Sequence, residues 1–425
     1  MPAIGKNLGM SVKRKILWLS NFAFSEVNIK ATGTWLIAMG DAMVKSGKVD
    51  LYNITYEGGK TFDSKNYMGI TQWVIPNERT SNGMPSGKVI EFIRQKENEI
   101  QPDLIHIWGT EHYWGMLNVK KILVAPVLLE IQGLLSVYEK VFYGGLTNKE
   151  LVECIGVKEI LLPQRLYYFR HRIFKQKGKF EQFIISQSKN IAVQSEWVNT
   201  HIRIINPHAN IYRTDIILRK QFYNAAKWNA NPVSQIIFTS SSGSNIYKGL
   251  HVVFRALATL ATSHPKVVLH VAGSIKYDSY FQDGYTTWLL KLAKELKIEN
   301  RIVWLGPLDE REMVTQLQKA SVCVIPSFIE TYCVALAEAM MIGTPCVVSY
   351  AGAMPELAVH GSSALFFPID DAAVCSTQME AILSNNAFAR QMSLEAIKTT
   401  EIRNDPEKIL NLQLDIYEKV ISNGC

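Results

Sequence analysis

The chain has 425 residues, 48% of them hydrophobic and 20% charged, and its formal net charge is +7. This length is too great for one ordinary hydrophobic core and predicts two domains of roughly 200 residues each. The charge is compatible with an anionic ligand, a membrane surface or nucleic acid, and equally with solubility alone. Because no apolar run reaches about 18 residues, no transmembrane helix is expected.

The N-terminus and the cysteines bear on the cellular compartment. The opening sequence MPAIGKNLGMSVKRK is polar and basic and has no signal-peptide pattern. Six cysteines are scattered along the chain, and none belongs to a CxxC pair. We therefore expect reduced thiols in a cytoplasmic protein, without a zinc site or a disulfide framework.

Short apolar runs alternate with helical patterns through the first half of the chain. Near-continuous apolar strands in such an alternation predict a parallel α/β sheet. Residues 133 to about 180 break the rhythm and are interpreted as an insertion. The predicted elements are strands at 15–21, 49–56, 103–109, 125–132 and 190–195, with helices at about 32–46 and at 87–100.

The second half repeats the pattern more clearly, and 218–232 lacks periodicity, as a linker does. Two doubly wound domains in tandem are therefore expected, with ligands bound in the cleft at the carboxyl ends of the strands. We assign 1–216 to the first domain, 217–402 to the second and 403–425 to a C-terminal helix. The predicted strands of the second domain lie at 235–240, 266–274, 301–306, 322–327, 345–350 and 364–368.

Two glutamates surround the start of an apolar helix in IPSFIETYCVALAEAMMIGTPCVVSYAGAMPEL (325–357). Glu330 follows a predicted strand, Glu338 lies inside the helix, and Gly343 marks the helix end. The free N–H groups of 331–334 are expected to bind an anion or a hydroxyl group. A carboxylate beside them is suited to accept hydrogen bonds from sugar or ribose hydroxyls.

A second segment, FTSSSGSNIYKGLHVVFRAL (238–257), places Lys248 at the start of a helix after a Ser/Gly-rich loop. A lysine at this position is able to reach a diphosphate, and the loop amides add hydrogen bonds to it. Together with Glu330 and Glu338, this lysine is interpreted as part of one site.

The segment ETYCVALAEAMMIGTPCVV (330–348) resembles the E-x7-E signature of the retaining GT-B glycosyltransferases of family 4, the glycosyl transferases group 1. The family pattern is close to EGFGxxxxEAMAxGxPVV, and Thr331 and Cys333 stand at its two glycines. The resemblance extends over nearly the whole chain and is closest from about 235 to 400. It implies a GT-B fold, in which two Rossmann-like domains face a central cleft and the last helix crosses back to the first domain.

The resemblance also implies roles for individual residues. Glu338 would hold the ribose of a nucleotide sugar, Glu330 would position the sugar, and Lys248 would neutralise the departing diphosphate. Glu330 and Lys248 are therefore the expected catalytic residues, while Gly243 stands where the family usually has an arginine. The donor-binding residues implied in this way are Ser242, Gly243, Lys248, Glu330, Thr331, Tyr332, Cys333, Val334 and Glu338.

The first half carries the expected acceptor side of the cleft. Glu111 and His112 follow a predicted strand, whereas His106 lies within that strand and is interpreted as a core histidine. Gln132 stands where many relatives have a histidine, and its amide is suited to bind a sugar hydroxyl and not to transfer a proton. The expected acceptor or cleft residues are Gly33, Thr34, Trp35, His112 and Gln132.

The resemblance implies a retaining hexosyltransferase that moves a sugar from a nucleotide-diphospho-sugar to a saccharide or a lipid-linked saccharide. The expected setting is the biosynthesis of a cell-surface polysaccharide or glycan. No Asp-x-Asp motif follows a strand, so neither a metal ion nor another cofactor is expected. Two alternatives stay open: a GT-B enzyme of another kind, such as a sugar-nucleotide epimerase or a phosphorylase, and a non-catalytic module that only binds the sugar nucleotide.

The segment LPQRLYYFRHRIFKQKGKFEQFI (162–184) interleaves basic and aromatic side chains. Such a composition suits an anionic membrane surface and also nucleic acid. A cleft-lining arm with solvated charges is the other interpretation. We expect no nucleic-acid partner, and a peripheral contact with the inner face of a membrane stays open.

Overall fold

Two sheets of mostly parallel strands organise the chain, which confirms the predicted α/β class with two doubly wound units. All strands of the second sheet and five strands of the first coincide with predicted apolar runs, whereas the strands at 63–67, 70–76 and 210–213 were not predicted. Helices connect most successive strands. This computed structural model describes residues 13–25, 35–57, 62–77, 83–230, 235–240, 245–273 and 282–423.

Among the described residues, the first sheet contains eight strands: β1 (Arg14–Leu19), β2 (Val49–Glu57), β3 (Asp63–Tyr67), β4 (Ile70–Pro76), β5 (Leu104–Trp108), β6 (Val127–Glu130), β7 (Asn190–Val193) and β8 (Asn210–Arg213). Their spatial order is β3-β4-β2-β1-β5-β6-β7-β8, and β3 runs antiparallel to β4. The order reverses between β1 and β5, so the carboxyl ends of these two strands flank a crevice. Strand β3 is exposed and polar, which is why an apolar pattern did not predict it.

Within the same ranges, the second sheet contains six strands: β9 (Ile236–Thr239), β10 (Val268–Ala272), β11 (Ile302–Gly306), β12 (Val322–Ile325), β13 (Cys346–Ser349) and β14 (Leu365–Phe367). They are parallel and lie in the order β11-β10-β9-β12-β13-β14. Here the reversal falls between β9 and β12, and the loops that follow these two strands therefore define the second crevice.

Helices cover both faces of each sheet. No helix in the described ranges combines the length and the apolar character that a bilayer crossing needs. The helices are α1 (Trp35–Lys45), α2 (Gly87–Ile100), α3 (Trp114–Val119), α4 (Leu135–Tyr138), α5 (Asn148–Glu153), α6 (Val157–Leu161), α7 (Tyr167–Gln187), α8 (Glu196–Ile205), α9 (Lys220–Asn224), α10 (Leu250–Ser263), α11 (Gly284–Glu295), α12 (Glu310–Lys319), α13 (Val334–Ile342), α14 (Met354–Leu357), α15 (Ala372–Leu383), α16 (Asn386–Arg403) and α17 (Pro406–Ser422).

Strand β1 shows how the first sheet forms two apolar layers. Its side chains alternate between the faces, so that Ile16 and Trp18 join one cluster while Leu17 and Leu19 join the other. All four side chains are completely buried. The continuous apolar run in the sequence is therefore the consequence of a strand with packed helices on both sides.

The segment interpreted as an insertion, 133–180, forms α4, α5, α6 and the first two thirds of α7. Its apolar side chains pack on the core of the second domain, although the chain then returns to β7 of the first sheet. This segment therefore bridges the two sheets. Its buried members in that core are Phe142, Leu146, Cys154 and Tyr167.

The last helix, α17, follows α16 of the second domain and packs on the first sheet. Tyr417 Oη accepts a hydrogen bond from Trp18 Nε1 at 3.1 Å and lies 2.8 Å from His106 Nδ1. His106 is completely buried, which confirms its prediction as a core histidine. The chain therefore crosses from the first sheet to the second after β8 and returns to the first sheet between α16 and α17.

Candidate active site

The loops that follow β9 and β12 meet where the strand order of the second sheet reverses. The β9 loop ends in a 3₁₀ turn, Ile246–Lys248, and Gly249 then caps α10 with φ 74°. A Cβ on Gly249 would lie 2.2 Å from the carbonyl oxygen of Pro326, directly after β12. Glycine is therefore required for this close approach, which brings Lys248 to the end of β12.

Lys248 and Glu330 form an ion pair at this point. Lys248 Nζ lies 2.6 Å from Glu330 Oε1, and Ser327 Oγ donates to the same oxygen at 2.6 Å. Burial alone would lower the pKa of Lys248, but the Glu330 carboxylate outweighs burial and raises that pKa. The ammonium group is therefore charged at neutral pH. The Lys248 side chain is 32% exposed and the Glu330 side chain 11% exposed, so a ligand in the cleft is able to reach the cation.

Helix α13 begins at Val334, four residues after Glu330, and ends at Ile342. Its C-cap is Gly343 with φ 88°, which confirms the predicted helix end. The N-cap is Cys333, which has φ 86° and makes no side-chain cap hydrogen bond. The N–H of Leu336 bonds to the Cys333 carbonyl oxygen at 3.1 Å, and the helix dipole favours an anion at the N–H groups that precede it.

Thr331 connects the Glu330 loop to the first domain. Its Oγ1 donates to the carbonyl oxygen of Gln132 at 2.6 Å, and its own carbonyl accepts a hydrogen bond from Ser195 Oγ at 3.0 Å. Tyr138 of α4 packs edge-on against Tyr247, with ring centroids 5.7 Å apart. Burial raises the pKa of the Tyr138 phenol, and the Glu330 carboxylate adds to that effect. The two domains therefore meet directly at the loop that carries Glu330.

Glu338 is bound by an arginine that no motif indicated. Arg219 Nε and Nη2 donate to Glu338 Oε1 and Oε2 at 2.6 and 2.7 Å, and the two side chains are 10% and 6% exposed. Arg219 belongs to the non-periodic stretch 218–232, where the chain passes from one sheet to the other. Tyr332 Oη donates to Asp215 Oδ1 of the same passage at 2.5 Å. The donor loop and its helix are thus attached to the interdomain connection.

The corresponding crevice of the first sheet, between β1 and β5, contains a carboxyl group. A Cβ on Gly109 would lie 2.1 Å from Glu111 Oε2 and 3.2 Å from Gln132 Oε1, so these two side chains occupy the space above Gly109. Burial raises the pKa of Glu111 to about 7, and repulsion by Glu181 adds to the shift. Thr110 Oγ1 donates to Glu181 Oε2 at 2.8 Å, which fixes Glu181 in the same cluster.

The remaining predicted cleft residues have aromatic partners or lie outside the described residues. The His112 ring stacks on Tyr56 with centroids 3.9 Å apart. Trp35 packs edge-on against Trp108, with ring centroids 5.5 Å apart. Both contacts are packing contacts within the first domain. The predictions for Gly33, Thr34, Ser242 and Gly243 concern positions outside the described residues.

The sequence is similar to one protein family and to several characterised proteins. Residues 224–399, which include Lys248, Glu330 and Glu338, match the family model of the glycosyl transferases group 1. A glycogen synthase of Mycobacterium tuberculosis is 28% identical over 149 residues, which are 35% of this chain and 34% of that protein. A D-inositol 3-phosphate glycosyltransferase of Corynebacterium urealyticum is 24% identical over 327 residues, 75% of this chain and 71% of that protein.

Solved structures agree on the fold over almost the whole chain. A sucrose-phosphate synthase from Thermosynechococcus elongatus gives a TM-score of 0.72 at 14% identity and covers 97% of this chain and 100% of that chain. Anabaena Alr3699/HepE, solved in complex with UDP and glucose, gives a TM-score of 0.67 at 15% identity and covers 96% of this chain and 100% of that chain. The chain therefore has the GT-B fold. The family match is confined to 224–399, and the chain spans about a third of the length of the glycogen synthase that it matches.

Proposed function

We propose that the protein is a retaining glycosyltransferase of family 4 that transfers a hexosyl group from a nucleotide-diphospho-sugar. The observation that carries this proposal is the 2.6 Å pair of Lys248 and Glu330 at the reversal point of the second sheet. The pair lies inside the region that matches the group 1 family. A cation, a carboxylate and a helix N-terminus that lie close together in space are groups suited to bind a diphospho-sugar.

The ion pair also indicates how the donor enters. A diphosphate carries more negative charge than one carboxylate, so its oxygens compete with Glu330 for the Lys248 ammonium group. Once the ammonium group binds the diphosphate, the Glu330 carboxylate is free to accept hydrogen bonds from sugar hydroxyls. Arg219 occupies two acceptor positions of the Glu338 carboxylate, and the remaining lone pairs are able to accept from ribose hydroxyls.

The proposed chemistry needs no protein nucleophile. The bond between the anomeric carbon and the diphosphate oxygen breaks, and the electron pair stays on the diphosphate, where Lys248 and the α13 amides stabilise the charge. The acceptor hydroxyl attacks the anomeric carbon from the face that the diphosphate leaves, and its proton passes to the departing phosphate oxygen. Because the new bond forms on the face of the bond that breaks, the configuration at the anomeric carbon is retained.

The proposed acceptor is a saccharide or a lipid-linked saccharide, and the proposed role is cytoplasmic synthesis of a cell-surface polysaccharide or glycan. The complex of Anabaena Alr3699/HepE with UDP and glucose supports a nucleotide sugar as the donor. Among the described residues, no group of three or more His, Cys, Asp or Glu side chains is arranged to hold a metal ion. Transfer without an essential metal stays a prediction, to be tested by adding a chelator to the assay.

A thermal-shift screen with UDP-, GDP-, ADP- and dTDP-sugars tests donor binding in the wild type and in Glu338→Gln. We expect one nucleotide to raise the melting temperature of the wild type and to lose most of that effect in the variant. Transfer with the donor found in this way should give a product whose anomeric configuration equals that of the donor, as measured by proton NMR couplings. An inverted product would exclude the retaining mechanism. Epimerised or phosphorolysed donor without an acceptor would instead identify the other enzyme class, and binding without turnover would identify a binding module.

A further inference from the structure

An exposed apolar surface covers the segment from α5 to the beginning of α7. These side chains are 40% to 67% exposed, whereas apolar side chains of this size are usually covered in a folded domain. Large apolar patches of this kind mark sites that bind another surface. The nine side chains are Val152, Ile155, Val157, Ile160, Leu161, Leu162, Tyr168, Phe169 and Ile173.

The backbone beneath this surface is firmly attached to the second domain. Cys154 is completely buried, and a Cβ on Gly284 of α11 would lie 1.6 Å from the Cys154 carbonyl oxygen. Lys291 Nζ of α11 lies 2.9 Å from Glu153 Oε2. Because the backbone is packed this closely on α11, the exposed side chains are presented by a fixed framework, and their exposure is not explained by poor packing of the segment.

Helix α7 extends the surface with a stripe at helical spacing. Tyr168, Phe169, Arg172 and Ile173 are exposed and recur every three to four residues, so they lie on one face of the helix. On the opposite side Tyr167 is 6% exposed and belongs to the core of the second domain. The exposed face of α7 therefore mixes apolar and basic side chains. A short 3₁₀ turn, Pro163–Arg165, contacts both α6 and α7 and connects the two helices.

The charged residues within 160–180 are all basic. Residues 160–180 contain six Lys or Arg residues and no Asp or Glu. The acidic side chains next to this range are engaged within the fold: Glu159 and Glu181 are buried, and Glu153 pairs with Lys291. Glu139 lies 2.8 Å from His171 Nε2 and 3.9 Å from Lys175 Nζ, so it offsets part of the charge of Lys175 and leaves the other five basic residues in excess. The basic residues are Arg165, Arg170, Arg172, Lys175, Lys177 and Lys179.

We propose that this α6–α7 surface, formed by the nine apolar and six basic residues just named, docks the protein on an anionic lipid bilayer. The aliphatic and aromatic side chains enter the boundary between head groups and acyl chains, and the basic side chains contact lipid phosphates. The combination explains both halves of the composition, because the apolar side chains need a hydrocarbon partner and the cations need an anionic one.

A second copy of the chain does not fit the surface as well. In a symmetric dimer the same patch faces itself, so the six cations of one chain would lie against the six of the other. Nucleic acid matches the charge, but it offers no hydrocarbon phase for exposed aliphatic side chains such as Ile160 and Leu161. An anionic bilayer satisfies both requirements.

The docking proposal goes beyond the proposed transfer reaction and does not depend on it. Failure of docking would leave the transferase proposal intact, and failure of transfer would leave docking intact, because the two tests share no readout.

Flotation of the full-length chain with vesicles tests the proposal. Mixed phosphatidylcholine–phosphatidylglycerol vesicles are compared with pure phosphatidylcholine vesicles, each at low and at physiological salt. We expect the wild type to float with the mixed vesicles, to bind more weakly at higher salt, and to stay largely unbound with phosphatidylcholine alone. Absence of flotation with the mixed vesicles at low salt would overturn the proposal, and so would equal binding to both kinds of vesicle.

Two double variants separate the apolar and the charged contributions. Ile160→Ser with Leu161→Ser, and separately Arg165→Glu with Arg172→Glu, should each lower the partition coefficient by about tenfold or more. All four positions are exposed, so little change in melting temperature is expected. The matched controls are Val359→Ser with Ile402→Ser and Lys266→Glu with Lys408→Glu, at exposed positions outside the surface.

The controls decide where the membrane binds. If the surface variants float like the wild type, or if the control variants lose binding equally, the α6–α7 surface is not the docking site and the proposal is wrong. Size-exclusion chromatography with light scattering is run on the same samples. A dimer that the Ile160→Ser and Leu161→Ser variant dissociates, without flotation of the wild type, would assign the surface to a second copy and overturn lipid docking.

Discussion

The two sheets have the same kind of crevice but different chemistry within it. At the end of β12 an ammonium group and a carboxylate are paired at 2.6 Å next to a helix N-terminus. At the end of β5 the carboxyl groups of Glu111 and Glu181 lie near each other, and Glu111 has a pKa raised to about 7. A diphosphate always needs a cation and amide donors, so the residues that meet it form a recognisable motif. An acceptor hydroxyl imposes no such fixed requirement, so the residues that meet it need not form a recognisable motif.

Removal of either member of the Lys248–Glu330 pair should have the largest effect. Lys248→Ala removes the cation that stabilises the leaving diphosphate, and we expect kcat to fall by about 10²–10³-fold. Glu330→Ala should abolish transfer while the protein stays folded. Steady-state transfer assays with the donor identified by thermal shift, together with circular dichroism, measure both effects.

The exposed Lys266, also in the second domain, supplies the matched control for this comparison. Lys266→Ala should leave kcat unchanged, since the residue lies outside the crevice loops. Turnover near the wild-type rate in both Lys248→Ala and Glu330→Ala would place the chemistry elsewhere and remove the contrast between the two crevices.

The Arg219–Glu338 pair should dominate the stability changes. Each partner is almost fully buried, so Arg219→Ala or Glu338→Ala leaves a buried charge without its partner, at a cost of about 3–5 kcal/mol. The double variant removes both charges and should cost clearly less than the sum of the single changes. Urea unfolding of the four proteins gives the coupling energy.

The exposed pair Lys45–Asp41 on α1 serves as the reference for that cycle. Its coupling energy should be only about 0.3–0.5 kcal/mol, because water and salt screen an exposed pair. A coupling energy equally small for Arg219 and Glu338 would show that Glu338 is held by its helix alone, and that the interdomain connection does not position it.

The elements and residues that the sequence predicted are those whose signal is local. Buried parallel strands appear as apolar runs, and α13 ends at Gly343 because the left-handed C-cap favours glycine. Lys248 and Glu330 were placed in one site because both follow strands of one sheet. Arg219 gave no signal, since its partner is 119 residues away and its surroundings have no periodicity. The packing of 133–180 on the second domain was missed for the same reason: an apolar face shows that a helix is covered, but not by what.

Glu111 offers a test of the first crevice through the pH dependence of stability. Its pKa of about 7 in the folded state exceeds its ordinary value of 4.5, because burial and Glu181 disfavour the anion while Lys177 favours it weakly. The folded state therefore binds the proton more tightly, and stability from this group is lost as pH rises from about 4.5 to about 7. Glu111→Gln has no titrating group at this position. As pH rises from about 4.5 to about 7, the melting temperature of the variant should therefore increase relative to that of the wild type. Parallel curves for the two proteins would show that Glu111 is ionised in the fold like an exposed carboxyl group.

The smallest expected effect concerns the backbone at the N-terminus of α13. Cys333 has φ 86°, a conformation that costs a residue with a Cβ about 1–2 kcal/mol and costs glycine little. Thr331, at the other family glycine, is not among the described non-glycine residues with positive φ, so its Cβ meets no such strain. We therefore expect only Cys333 to need the conformational freedom of glycine.

A pair of variants isolates this backbone term. Cys333→Gly and Cys333→Ala both remove the thiol and differ only by the Cβ, so the glycine variant should be the more stable by about 1 kcal/mol in urea unfolding. Cys375 in α15 is also buried but helical, and there the order should reverse, with alanine the more stable by about 0.5–1 kcal/mol. The same order at both positions would mean that the backbone at Cys333 relaxes out of its left-handed conformation. In that case the left-handed backbone at Cys333 would form only when a donor binds, and the unliganded fold would not maintain it.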